Sequence, residues 1–411
     1  MSGDSRQAYW LAVLPWLQLS SEVRLGDVRF APVHIADLGE VVTELRSVST
    51  DASQVLKSFR LSYQCPINNC TLLVPDGYDP TVPADDTARA LFYQTRDLLM
   101  LCAIAANRYG EHNTWNANAS MFSLRIATFV SPLGGHLPLY QRRHDGSAVT
   151  VGAKWGNPLF YIPDECNPPY PPRSVDKNLA SALGSLDSAH PLAQRLRLSL
   201  RFFAEANTLA DTSSWEMEII ALITALEALL GVGGKYTLSC GVRRLLEPHG
   251  RIRVRDARRT RPNLRPMGDH AVQQEDWFLH GFLIHELYGM RNDLLHSGFC
   301  DTSKLAWRPG EHLAMGAFLL PLLVKLLLAQ EDLYELAWDD KAACDAVDML
   351  LAETDWFILR DHEDSTYSFE TPSVWAATLL EAQRQRYLEE AEAVARRLHE
   401  EHFGSQDNEP E

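Results

Sequence analysis

Apolar positions change their period along this chain. From residue 8 to 75 they run in short stretches of strand character. Tyr9 to Leu19 is aromatic and aliphatic, Leu25 to Phe30 alternates roughly, and Thr71 to Val74 leads into a Pro-Asp-Gly turn at 75–77. Asp85 to Tyr109 then has helical spacing, with Leu91, Phe92, Thr95, Leu98, Leu99 and Cys102 on one face. Strand-like runs return between 121 and 162, notably Phe122 to Val130 and Ala148 to Val151. Trp10, Trp16, Trp115 and Trp155 are core candidates.

A proline-rich stretch at 167–173 breaks the pattern, since proline stops helices and removes ladder donors. It marks the expected domain boundary near 165–180. Beyond it the period is helical throughout: 177–186, 190–209, 213–231, 236–247, 273–296, 309–335, 341–353 and 372–402. The longest apolar run, Leu313 to Ala329, contains Pro321 and Lys325 and is short for a membrane span, so it reads as a buried helix. The last helix carries Leu380, Tyr387, Ala391, Val394 and Leu398 at three-four spacing, which suits packing on its own domain or a short helical pairing. The tail from Gly404 is expected to fray. No repeat at solenoid spacing occurs. The fold class expected is α+β: a mixed, β-rich N-terminal domain over 1–175, a helical bundle over 176–340 and a helical extension over 341–411.

Composition narrows the function classes. The chain has 411 residues, 46% apolar and 22% charged, as in a soluble globular protein, and a net charge of -16. Any nucleic-acid contact must therefore be local. A candidate is a basic island: Arg243, Arg244, Arg251, Arg253, Arg255, Arg258, Arg259, Arg261 and Arg265, opposed within the segment only by Glu247 and Asp256. It reads equally as an RNA-backbone contact or as a solvated loop paired with acidic neighbours. Seven cysteines, an odd and scattered set, and no basic-then-apolar leader over Met1–Arg6 give a cytosolic expectation. Cys65 and Cys70 lack a second pair at zinc spacing, and His285-Glu286 lacks the second histidine of a zinc-protease helix. Neither a Walker loop nor a Rossmann glycine fingerprint occurs, so no cofactor or metal is expected.

The candidate chemistry lies at 288–298. Tyr288, Arg291, Asn292, Asp293 and His296 occupy the end of one expected helix, and Ser297-Gly298 supplies its stop. An arginine five residues before a histidine occurs five times here (also Arg29/His34, Arg244/His249, Arg265/His270 and Arg397/His402), so spacing alone says little. Only Arg291/His296 has apolar backing, from Phe278, Phe282, Leu283, Leu287 and Leu294. Asn292 and His296 share a face, and Arg291 is about 140° from His296 at about 100° per residue, so its side chain must reach around or a second helix must complete the site. Asp293 can orient the imidazole, and the helix C-terminus favours its cationic form. The plain alternative is that such a cluster only caps and solvates the helix end.

Tyr288 to Gly298 resembles the Y-x-x-R-N-x-x-x-H-G signature of the Apea-like group of the HEPN superfamily. Trp215 to Leu230, with Leu226-Glu227, is similar to that group's LEALL helix, Leu238 to Leu246 with Arg243 to its R-x-x-x-L helix, and Leu200 to Ala206 to its upstream helix. These segments cover roughly residues 190–335. Ser297 separates His296 from Gly298, and the segment between Glu247 and Gln273 is long for the family. The resemblance implies an all-α bundle, a homodimer through the HEPN helices with higher assembly open, and metal-independent cleavage of RNA by 2′-hydroxyl attack. It casts His296 as general acid or base, Arg291 as the phosphate clamp and Asn292 as an orienting group. Asp293, Tyr288 and Glu227 are supporting, Glu227 as a structural residue of a helix interface. It also implies a regulated toxin in antiphage defence (abortive infection), its N-terminal domain sensing an activating ligand or phage protein; no membrane partner is expected, from the length of the apolar run. The other outcome is a non-catalytic HEPN module that binds RNA or protein.

Overall fold

The computed structural model describes residues 7–62, 65–106, 119–131, 136–142, 148–154, 160–161, 172–208, 214–265, 271–353 and 374–403. A β-sheet region, its strands running from Gln7 to Tyr161, precedes an all-helical C-terminal part, and the fold is α+β with 62% helix among the described residues. Most of the proline-rich stretch, Trp115, Trp155 and the tail from Gly404 lie outside the described residues.

Two compact units form: residues 1–231 with 316–321, and residues 232–315 with 322–411. The first holds a seven-stranded antiparallel sheet in the order β2-β3-β6-β1-β7-β8-β9. Its strands are β1 (Gln7–Leu14), β2 (Val23–Leu25), β3 (Val28–His34), β6 (Asn69–Pro75), β7 (Arg125–Ser131), β8 (His136–Arg142) and β9 (Ala148–Lys154). A small sheet orders β10 (Phe160–Tyr161), β4 (Phe59–Ser62) and β5 (Cys65–Pro66). Trp10 to Leu14 and Cys70 to Val74 are buried without alternation, because β1 and β6 are central and covered on both faces.

Between β3 and β4 the chain forms α1 (Leu38–Val41) and α2 (Ser49–Leu56), short helical pieces that the strand-like reading of 8–75 did not contain. Ser131 Oγ donates to Asp51 Oδ2 at 2.6 Å, tying α2 to β7. The long helix α3 (Asp86–Ala106) buries Phe92, Leu99 and Cys102, and Trp10 joins it to the sheet through Phe92, with centroids 5.7 Å apart. Then follow α4 (Lys177–Ser185), α5 (Pro191–Ala206) and α6 (Trp215–Leu230), with α5 and α6 packed together. Asp176 caps α4 and His190 caps α5, each accepting a backbone N–H.

In the second unit α7 (Lys235–Leu246) packs on α10 (Leu279–Ser297), and α12 (Trp338–Ala352) packs on both α10 and α13 (Val374–Phe403). Two single turns, α8 (Val254–Ala257) and α9 (Ala271–Gln274), lie between α7 and α10. The helix expected over 273–296 is thus broken, because Phe278 is extended (ψ 155°) and bridges Arg253. Helix α11 (Pro309–Gln330) stops five residues short of its expected end, just before Asp332, whose φ of 56° is left-handed. Helix α11 alone among the described helices has the length and hydropathy of a membrane span; 78% of that window is buried. Lys325 within it is buried and donates to Asp340 at 2.7 Å, as befits a core helix.

Candidate active site

Helix α10 is anchored by Leu279, Phe282, Leu283, Leu287 and Met290, all buried. Each fully buried apolar side chain of this kind contributes about 2 kcal/mol, so the register of the polar end is fixed. Gly298 ends the helix in the left-handed region at φ 67°, and its N–H donates to Leu294 O at 3.0 Å. The stop expected at Ser297-Gly298 is formed, and glycine carries that backbone without a Cβ penalty.

The polar end holds two separate groups. Tyr288 is buried, and the Arg291 guanidinium lies over its ring, 5.4 Å from the centroid. Arg291 Nη1 also donates to Asn292 Oδ1 at 3.1 Å. The guanidinium is therefore oriented from two sides, by a cation–π contact and a hydrogen bond. Its Nε is buried without a hydrogen-bond partner among the described residues. His296 is exposed in the last turn and forms no hydrogen bond or ion pair with another described residue. Leu295 and Phe299, 50% and 69% exposed, flank it with apolar surface.

Asp293 is not paired with His296. Its field falls on another group, the Lys235 ammonium at the start of α7. A Cβ at Gly289 would lie 3.2 Å from Lys235 Nζ, so this glycine leaves the room in which the ammonium sits. Burial draws Lys235 below the usual lysine range, and the Asp293 and Glu286 carboxylates oppose that shift. Sequence reasoning missed Lys235. Its only signal was a glycine inside the motif, one turn from Asp293. Glu286 is itself engaged, accepting from Ala306 N at 2.8 Å and lying 3.2 Å from the buried His312 Nε2.

The arginine-rich segment is largely tied down. Arg251 reaches Asp345 at 2.9 Å and Glu389 at 2.6 Å. Arg255 pairs with Asp276, and Arg258 with Glu275. Arg253 lies over the Phe278 ring and donates to Asp276 O, while Arg243 lies over Trp277. Arg261 is buried against Glu311. Arg244, Arg259 and Arg265 are exposed and carry no ion pair to another described residue. The carboxylates that hold the segment come mostly from afar, and sequence reasoning, which expected acidic neighbours, named none of them. Asp345 gathers His249, Arg251 and Arg386. Asp348 accepts from Arg251 N and His280 N, both at 2.9 Å, and lies 3.0 Å from His280 Nδ1. Burial would lift the Asp345 carboxyl; its three donors outweigh that and hold it below the usual range. The available signal was acidic residues on an otherwise apolar helix.

Glu227 is half-buried on α6 in the first unit, where its carbonyl accepts from Gly231 N at 2.9 Å. Cys65 is exposed and Cys70 buried. His285 meets Gln274 at 3.2 Å. No cluster of three or more metal-ligating side chains occurs among the described residues.

Chemically, the end of α10 offers a planar cation for an oxyanion and an unengaged imidazole for a proton. No family model, curated protein or solved structure matches the chain. The functional reading therefore rests on these residues and their motif.

Proposed function

We propose that the end of α10 is the catalytic centre of a cytoplasmic, metal-independent endoribonuclease of the HEPN type. The observation that carries this reading is the Arg291 guanidinium, oriented by Tyr288 and Asn292, on the same helix end as an imidazole with no partner among the described residues. In this reading Arg291 grips the non-bridging oxygens of the scissile phosphate and stabilises charge in the transition state. One imidazole takes the 2′-hydroxyl proton while the oxygen attacks phosphorus; a second protonates the departing 5′-oxygen. The products are a 2′,3′-cyclic phosphate and a 5′-hydroxyl. Two copies of α10 facing one another supply both imidazoles and bring Arg291 of one chain to His296 of the other. The sheet-bearing region acts as the sensor, and the biological role is a regulated toxin in antiphage defence.

Labelled single-stranded RNA incubated with the protein in chelator tests this. Wild type is expected to cleave, and Arg291→Ala and His296→Ala to be slower by about 10²–10⁴. Equal behaviour of all three would sink the reading, and a monomer at micromolar concentration would remove the shared cleft.

A second reading, a non-catalytic module that binds RNA or protein, is favoured by Leu295 and Phe299. Exposed apolar side chains beside His296 suit a protein surface. Binding without cleavage in the same assay selects it.

A further inference from the structure

Helix α13 is attached by one face and open on another. Leu379 and Ala382 are buried, and Arg386 reaches Asp345 on α12 at 2.8 Å. At about 100° per residue these three lie together, while Leu380, Tyr387, Ala391, Val394 and Leu398 form a stripe centred about 110° away. The stripe is bare: Leu380 is 59% exposed, Tyr387 66%, Val394 54% and Leu398 52%. Its spacing from Tyr387 onward is four, three, four, an alternation that fits the a and d positions of a coiled-coil seam. An apolar seam of this length on a helix end wants a cover.

We propose that a second copy of this chain covers it, its own α13 lying antiparallel in a short coiled coil. The charges choose the direction. With the seam centred midway between Glu392 and Ala393, Tyr387 faces Leu398 of the second copy, and Ala391 faces Val394. On one flank Glu390 comes beside the second copy's Arg397, and symmetry repeats the pair. On the other flank Leu388, 50% exposed, meets Ala395 and widens the apolar seam. A parallel pair sets Glu390 against Ala395 and forms neither ion pair. Antiparallel helices also align their dipoles favourably. Glu390 already accepts from Trp338 Nε1 at 3.2 Å and lies 3.2 Å from Arg386 Nε in an ion pair, which holds its carboxylate on the flank and leaves lone pairs for a further donor. This contact is independent of any pairing through α10, so it builds assemblies larger than that pairing alone.

Sedimentation velocity of the full chain at tens of micromolar tests the proposal. Tyr387→Lys with Val394→Lys is expected to lower the assembly mass by at least twofold, with helicity by circular dichroism unchanged. Glu390→Arg alone and Arg397→Glu alone are each expected to weaken association several-fold, and the two together to restore it. An unchanged mass in the double lysine variant overturns the proposal, meaning that the seam is open or covered by the chain's own residues. Dissociation by lysine without rescue by the charge swap also overturns it, because association would then use another register or direction.

Discussion

Arg291 holds its charge on a planar fork laid over the Tyr288 ring and hydrogen-bonded to Asn292. Lysine would keep the charge and lose both the stacking plane and the paired donors. Arg291→Lys should therefore slow RNA cleavage at least tenfold, about 1.4 kcal/mol of transition-state stabilisation, while leaving the urea midpoint nearly unchanged. Single-turnover cleavage beside a denaturation curve separates the two effects. A variant as fast as wild type would mean that only the charge of Arg291 matters. Lys235 belongs to the same scale and a different task. Its ammonium lies in the space that Gly289 leaves free, and the Asp293 carboxylate favours its charged form.

On α12 the buried carboxylates are the joints between elements. Asp340 takes Lys325 at 2.7 Å and Tyr334 at 2.8 Å, and all three side chains are buried. Removing the cation strands the anion, so Lys325→Met should cost about 3–5 kcal/mol. Adding Asp340→Asn, which removes the stranded charge, should recover part of that loss in the guanidinium midpoint. No recovery would mean that the Lys325 stem, and not its charge, is what the core needs. Asp345 gives a pH signature. Its folded-state carboxyl lies below the usual range, so its contribution is present above the unfolded value, about pH 4, and is lost as pH falls through the folded value. Asp345→Asn should be less stable than wild type at neutral pH, with the gap closing below about pH 4. A gap constant with pH would assign the loss to shape alone. These joints also explain what could be read in the sequence. The longer helices were legible from period and the glycine stop, and so was the place of Tyr288, Arg291, Asn292 and His296 at the end of α10; the short α1 and α2 and the break before α10 were not. The strand order was not, because β1 pairs with strands far along the chain. Nor was the state of the arginine segment: Arg251 meets its partner Asp345 across 94 positions of sequence.

Taken whole, the molecule is acidic, at a net charge of -16, and RNA is repelled by most of such a surface. An RNA path must then run where positive charge is not already neutralised. Arg251, Arg255 and Arg258 are held by Asp345, Glu389, Asp276 and Glu275, so their cost in counterions has been met within the fold. Arg244 and Arg259 are exposed and have no ion pair among the described residues. Each phosphate contact to a single strand contributes about 0.7 to the slope of log affinity against log salt. If both arginines touch the backbone, Arg244→Gln with Arg259→Gln should make that slope shallower by about 1.4 and weaken binding uniformly across sequences. Arg251→Gln should instead lower stability and leave the slope where it was. Fluorescence anisotropy on a labelled single strand at several salt concentrations, using a cleavage-dead His296→Ala background, reads the slopes directly. An unchanged slope in the double variant would remove the segment from the RNA path and leave it as a structural strap for α10 and α12.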